Sequence, residues 1–149
     1  MKKLFALLFV VIATTTLVSC EGEQGPQGPP GVTILSEEFT IRKSDWKVID
    51  DNFYYYQRTP SFYDNLYPEE LMDIFDCGFM LIYRYLDEDG FVSQQPLPYM
   101  DNWNNSNGGT EIDNLWFDYT TGDFRIYYRY SGSGNPELPT GKFRVVVNW

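Results

Sequence analysis

Two runs near the end of this chain limit its fold more than any other feature. Leu115, Phe117 and Tyr119 alternate with polar or outward positions, Thr120-Thr121-Gly122-Asp123 turns the chain, and Phe124, Ile126, Tyr128 and Tyr130 alternate again. A period of two puts every second side chain on one face of a strand, so the runs predict a β-hairpin with one apolar face. That face cannot be left in water, and the rest of the chain must supply a second layer to cover it.

The preceding sequence offers such a layer. Thr33, Leu35, Glu37, Phe39 and Ile41 alternate, and Ser44-Asp45 is a break. Trp46, Val48 and then Phe53 to Gln57 continue as strands around an Asp50-Asp51-Asn52 turn. Tyr54 and Tyr56 alternate with Tyr55, so one of these sets faces outward. Leu66-Tyr67-Pro68-Glu69-Glu70-Leu71 reads as a helix start, with proline at the first helical position and acids in the first turn. Leu66 and Leu71 have the spacing of a hydrophobic staple, Leu71, Ile74 and Phe75 form an apolar face, and Gly78 is the stop.

Phe79 to Leu86 is apolar on both faces and predicts a central, doubly covered strand. Asp87-Glu88-Asp89-Gly90 turns it into a return strand, Phe91 to Tyr99, whose Pro96 and Pro98 suit a sheet edge. Asp101 to Gly109 and Ser131 to Gly141 read as loops, and Phe143, Val145, Val147 and Trp149 line one face of a last strand. The expected fold class is all-β, an antiparallel β-sandwich of about seven or eight strands with one short helix, over residues 32–149. The final strand also resembles that of outer-membrane barrels. Most strands here are too short to cross a bilayer, and prolines interrupt them.

The first 31 residues have a different character. Lys2 and Lys3 precede an unbroken apolar run from Leu4 to Ala13, too short for a membrane span and suited to the core of a signal peptide over 1–19. Leu17-Val18-Ser19-Cys20 resembles the lipobox of bacterial lipoproteins. That resemblance implies diacylglycerol on Cys20, cleavage before it and acylation of the new amino group; several acyl chains anchor stably where one is marginal. Residues 20–31 then form the lipidated cysteine and a spacer with glycine at every third position, Gly22, Gly25, Gly28 and Gly31, and prolines between. This is the collagen period, and it predicts a stiff polyproline-II rod of roughly 30 Å. A triple helix, and hence a homotrimer, is the alternative. Three triplets bury little against the cost of association, so a monomer is favoured.

Without residues 1–19 the chain keeps nine lysines and arginines against 21 acids, a net charge of −12. Such a surface repels nucleic acid, although Arg84, Arg125 and Arg129 could cluster locally. With Cys20 lipidated, Cys77 is alone and no intramolecular disulfide can form. Its apolar neighbours predict a buried, inert thiol. The chain has no histidine, which removes Ser-His-Asp and Cys-His catalysis and imidazole zinc sites.

The acidic pairs Glu37/Glu38, Asp50/Asp51 and Asp87/Asp89 lie in solvated strands or turns, Glu69/Glu70 serve the helix start, and none has the marks of a facing catalytic pair. An EF-hand-like reading from Asn102 through Asn104 and Ser106 fails at Asn107, where glycine is needed, and finds Asp113 where glutamate usually sits. No catalytic residue, metal or cofactor is expected. The bulk anomaly is aromatic: twelve Tyr, eleven Phe and four Trp make 18% of the chain. Sugar-binding sandwiches use exposed Trp and Tyr as stacking platforms, and Trp103, Trp116 and Tyr127 are the candidates. Core filling is the competing use of these rings, and arginines lying over them are the competing use of Arg84, Arg125 and Arg129.

Leu17 to Cys20, the Gly-Glu-Gln-Gly-Pro-Gln-Gly-Pro-Pro-Gly that follows, and an aromatic-rich domain ending in Phe143-Arg144-Val145-Val146-Val147 together resemble a group of small lipoproteins of Bacteroidota-type Gram-negative bacteria. The resemblance implies outer-membrane attachment by lipid, facing the periplasm or the cell surface, and no catalytic residues. The expected partners are the membrane and a glycan or envelope protein.

Overall fold

The computed structural model describes residues 31–104, 109–132 and 134–149. The signal segment, Cys20, Gly22, Gly25, Gly28 and the 105–108 part of the EF-hand-like run lie outside the described residues. Gly31 belongs to no strand or helix. Residues 32–149 form one compact unit.

That unit is an antiparallel β-sandwich. Its elements run β1 (Ile34–Ile41), β2 (Lys47–Asp50), β3 (Phe53–Arg58), α1 (Pro68–Asp76), β4 (Phe79–Glu88), β5 (Phe91–Pro96), β6 (Tyr99–Asn104), β7 (Thr110–Tyr119), β8 (Phe124–Tyr130) and β9 (Gly141–Asn148). One sheet has the order β1-β9-β4-β5 and the other β2-β3-β8-β7-β6. The hairpin that anchored the sequence argument is β7–β8, with Leu115 opposite Tyr128, Phe117 opposite Ile126 and Tyr119 opposite Phe124.

The core lies between the two inner faces. Phe39, Ile41, Met80, Ile82, Phe143, Val145 and Val147 come from one sheet, and Tyr56, Leu115, Phe124, Ile126 and Tyr128 from the other. Each such burial is worth ~1.5–3 kcal/mol against exposure. Phe39 is at the centre, its ring 5.4 Å from Phe124, 5.8 Å from Phe143 and 5.9 Å from Tyr56. Trp46 packs on Tyr56 and Tyr128, and its indole N–H donates to the Pro139 carbonyl at 2.8 Å, which satisfies the one polar atom it buries.

The helix starts as expected. Pro68 is its first residue, and the Glu70 carboxylate accepts from the Tyr67 backbone N–H at 2.9 Å. Ile74 is buried, and Leu66 and Leu71 pack against the core. Phe75 departs from the expected apolar face: it is 48% exposed, with its ring edge-on to that of Tyr119 at 6.1 Å. Gly78 does more than end the helix. A Cβ there would sit 2.1 Å from the Asn148 carbonyl oxygen and 2.9 Å from that of Ile74, so only glycine lets β9 close against the helix end.

Five further expectations are corrected. β4 is not covered on both faces; Met80 and Ile82 point into the core, while Phe79 is exposed and Leu81, Tyr83 and Tyr85 are half-buried on the outside. Nine strands form among the described residues, because the segment from Phe91 onward is two strands in two sheets. Leu97 marks the crossing, buried and donating its N–H to the Ile82 carbonyl at 2.8 Å, and Asp101 to Asn104, expected to begin a loop, are instead the end of β6. Cys77 is exposed, because it falls at the C-cap where the chain leaves the face that carries Ile74. Glu37 is not a solvated strand residue. Pleating sends it inward while Glu38 goes outward.

Both acidic turns use their side chains locally: Asp50 accepts from the Asp51 N–H at 2.8 Å. Asp87 accepts from the Gly90 N–H at 3.1 Å, and Asp89 and Gly90 both take left-handed φ, which suits Asp and Gly. No helix among the described residues is long and apolar enough to cross a membrane.

Candidate functional site

The face of the five-stranded sheet that points away from the core carries the most unusual surface of the domain. Alternation on β8 sends Phe124, Ile126, Tyr128 and Tyr130 inward, which forces Arg125, Tyr127 and Arg129 outward. On β3, Tyr54 and Tyr56 sit opposite Tyr128 and Ile126 on the inner side, so the outward set is Phe53, Tyr55 and Gln57. On β7, Trp116 lies opposite Tyr127 and Asp118 opposite Arg125.

Cross-strand neighbours then stack. The Trp116 and Tyr127 rings are 5.4 Å apart and nearly parallel, and Phe53 stacks on Trp116 at 5.7 Å and lies 6.0 Å from Tyr127. Offset stacking of this kind adds ~0.5–1.5 kcal/mol per pair beyond buried area. All three rings are half-buried and stay open to solvent on their outer side. Arg129 lays its guanidinium over Phe53 at 4.7 Å, and Lys47 holds its ammonium 5.5 Å from the centre of the Tyr55 ring.

Beside the stack is a shallow hollow of about 260 Å³ lined by Ile49, Tyr55, Gln57, Arg125 and Tyr127. Pockets that engulf a drug-sized ligand run ~300–1,000 Å³, so a ligand here would lie against the sheet with one side in water. The Tyr127 hydroxyl donates to Asp118 at 2.9 Å. Burial pushes that hydroxyl's pKa up; Arg125 pulls it down, Asp118 pushes it up, and the net direction is upward. The Arg125 guanidinium is held above its ordinary value first by its hydrogen bond to Tyr127, then by the nearby Asp123 and Asp118.

A second cavity, about 340 Å³, opens between the sheets and is lined by Arg84, Glu111, Asp113, Tyr128 and Tyr130 among others. Its hydrogen-bonding groups are largely taken up by one another. Tyr128 donates to Asp113 at 2.6 Å and Tyr130 to Glu111 at 2.7 Å. Burial raises the Asp113 carboxyl pKa, against the Tyr128 hydrogen bond, and pushes the Tyr128 hydroxyl well above its usual range. These pairs make a polar end to the core.

The structure therefore brings together two of the three sequence candidates, Trp116 and Tyr127. Trp103 occupies the position on edge strand β6 opposite Glu111, and its side chain lies outside the described residues. Arg125 and Arg129 share the platform, but Arg84 does not join them. It sits on β4 in the other sheet, with its Nε buried and unpartnered among the described residues. Phe53, Tyr55, Lys47 and Ile49 were not singled out from sequence. The signal for the first two was present in the Asp50-Asp51-Asn52 turn, which fixes the β2–β3 register and hence the outward set.

Among the described residues, no three Cys, Asp or Glu side chains converge as metal ligands. Comparison with known proteins finds no match: no family model, no curated protein and no solved structure is significantly similar to this chain.

Proposed function

We propose that this protein is a lipid-anchored envelope protein, held at the outer membrane through Cys20, whose β-sandwich is a non-catalytic carbohydrate-binding module. The observation that carries the binding reading is the outward stack of Phe53, Trp116 and Tyr127 beside an open hollow. A soluble domain gains little from leaving three large rings half in water. A pyranose ring has an apolar face that such rings can cover, and hydroxyls that Gln57, Arg125 and Asp118 can meet at the rim. The anchoring half rests on sequence: the apolar run to Ala13, the lipobox-like Leu17 to Cys20 and the glycine triplets that follow.

The acids give no support to a hydrolase. Glu37 and Glu38 point to opposite faces of β1, and Asp87 is committed to its own turn. The direct test is a glycan array probed with the full mature chain in detergent. Binding to a restricted set of oligosaccharides, lost in Trp116→Ala and Tyr127→Ala proteins that still melt cooperatively, is the expected result. An array with no glycan bound, or binding indifferent to both substitutions, would remove the carbohydrate reading.

A further inference from the structure

We infer that the ligand of this platform is an acidic oligosaccharide, a sugar chain bearing carboxylates as uronic acids do. The inference rests on the platform reading above and adds the class of sugar.

Its basis is the behaviour of the cations. After residues 1–19 are removed the chain carries 21 acids against nine bases. Off the platform, Arg58 pairs with Glu37, and Lys142 with Glu38 at 2.6 Å. Lys47, Arg125 and Arg129 form no such ion pair among the described residues, and all three stand on the platform face.

The platform's own acids, by contrast, are engaged. Asp118 accepts from Tyr127 at 2.9 Å, and Asp123 accepts from Gln57 and, at 2.9 Å, from Thr120. On this face the acids accept hydrogen bonds from neighbouring side chains, while three cations outside any ion pair among the described residues surround the ring stack.

Geometry supports carboxylate over a diffuse charge. Arg129 stacks on Phe53, an arrangement that leaves the edge of the guanidinium to match a carboxylate in a two-point contact, while Arg125 hydrogen-bonds the Tyr127 hydroxyl. Arg125 and Arg129 flank Tyr127 on β8, four residues apart, about 14 Å along the strand. A single sugar does not reach both, so the spacing suits a chain with charges on different residues. The net charge of −12 does not forbid this, because at physiological salt charges more than ~8 Å away are largely screened.

The test uses the full mature chain in detergent and three ligand sets of equal length. These are uronate oligomers, the same oligomers with their carboxyls methyl-esterified, and sulfated neutral oligomers. Binding is read by Trp fluorescence and calorimetry. The acid form should bind at least about tenfold tighter than the ester. Lys47→Gln and Arg129→Gln should each erode that preference while leaving ester binding in place; both side chains are exposed, and unchanged melting curves confirm the fold. Equal affinity for acid and ester overturns the inference and leaves the platform intact. Tighter binding of the sulfated set overturns the carboxylate assignment. Binding of all sets that ignores Trp116→Ala shows instead that the platform reading itself has failed.

Discussion

Replacing Glu37 by Gln should weaken the sandwich by a few kcal/mol, and only while Glu37 would be ionised. The side chain points inward from β1, and its two oxygens join both sheets and the turn between them. One oxygen pairs with Arg58 on β3; the other accepts from the Ser61 backbone N–H at 2.6 Å and the Ser61 hydroxyl at 2.7 Å. Hydrogen bonds to a charged group are worth ~1.5–3 kcal/mol and neutral ones nearer 1. Glutamine keeps an acceptor for Ser61 but turns an NH₂ toward the guanidinium. The Arg58 part must be discounted, because its side chain is 35% exposed while that of Glu37 is 13% exposed. The sum is about 2–3 kcal/mol, or ~1–2 M in the urea midpoint.

The pH dependence separates charge from shape. Burial raises the Glu37 pKa, but Ser61 and Arg58 together outweigh it, so the folded value lies below the ordinary 4.5. A carboxylate with a depressed folded pKa contributes stability above its unfolded value, and that stability fades as the pH falls through the folded value. The gap between wild type and Glu37→Gln, measured by urea unfolding, should therefore be full at pH 7 and shrink below about pH 4.5. The same gap at pH 3 as at pH 7 would refute the electrostatic account.

Other substitutions probe packing and exposure. Gly78→Ala puts a methyl against two backbone carbonyls, which cannot rotate away, and should cost ~3 kcal/mol, read as a fall in melting temperature of roughly 10 °C. Trp46→Phe removes the donor to the Pro139 carbonyl while keeping most of the ring packing; a loss of about 1–3 kcal/mol is expected, and a loss below measurement error would mean that water replaces the indole. Cys77 should react stoichiometrically with a thiol reagent in the native protein without denaturant, and protection until unfolding would contradict its position at the helix end.

How much of this was legible in advance followed the range of the interactions. The β7–β8 hairpin, the β2–β3 turn and the helix start depend on residues within a few positions of one another, and the structure has all three. Features decided by distant partners were not legible. Glu37 looks like one half of a solvated pair until Arg58 and Ser61, 21 and 24 residues later, fold against it. The Asp-Asn-Trp-Asn of β6 has poor strand propensity, and it forms because the longer β7 offers a ladder from Leu115 to Thr110. β4 reads as doubly buried because its outer residues are as apolar as its inner ones, and hydropathy alone does not separate the two faces. Alternation correctly turned Trp116 and Tyr127 outward, but which rings they would meet depended on register across three strands.

The two outer faces of the sandwich differ. On the four-stranded sheet, Glu38 pairs with Lys142 and accepts from the Tyr85 hydroxyl, both at 2.6 Å, and Arg144 donates to Ser36 at 3.2 Å. On the five-stranded sheet, rings are stacked, and Lys47, Arg125 and Arg129 form no ion pair among the described residues. The chain enters the domain on the first of these. Thr33 and Trp149 exchange backbone hydrogen bonds at 3.0 and 3.2 Å, and β1 then runs antiparallel to β9 from Ile34 to Ile41. Any pull transmitted through residue 31 falls first on this eight-residue ladder and on the side-chain ties of Glu37 and Glu38. None of the strands that carry Phe53, Trp116 and Tyr127 lies in that sheet. On the proposed function, a tether at the start of the domain and a ligand on the platform would load different sheets, so that an anchored module would hold its ligand without a pull on the strands of the platform.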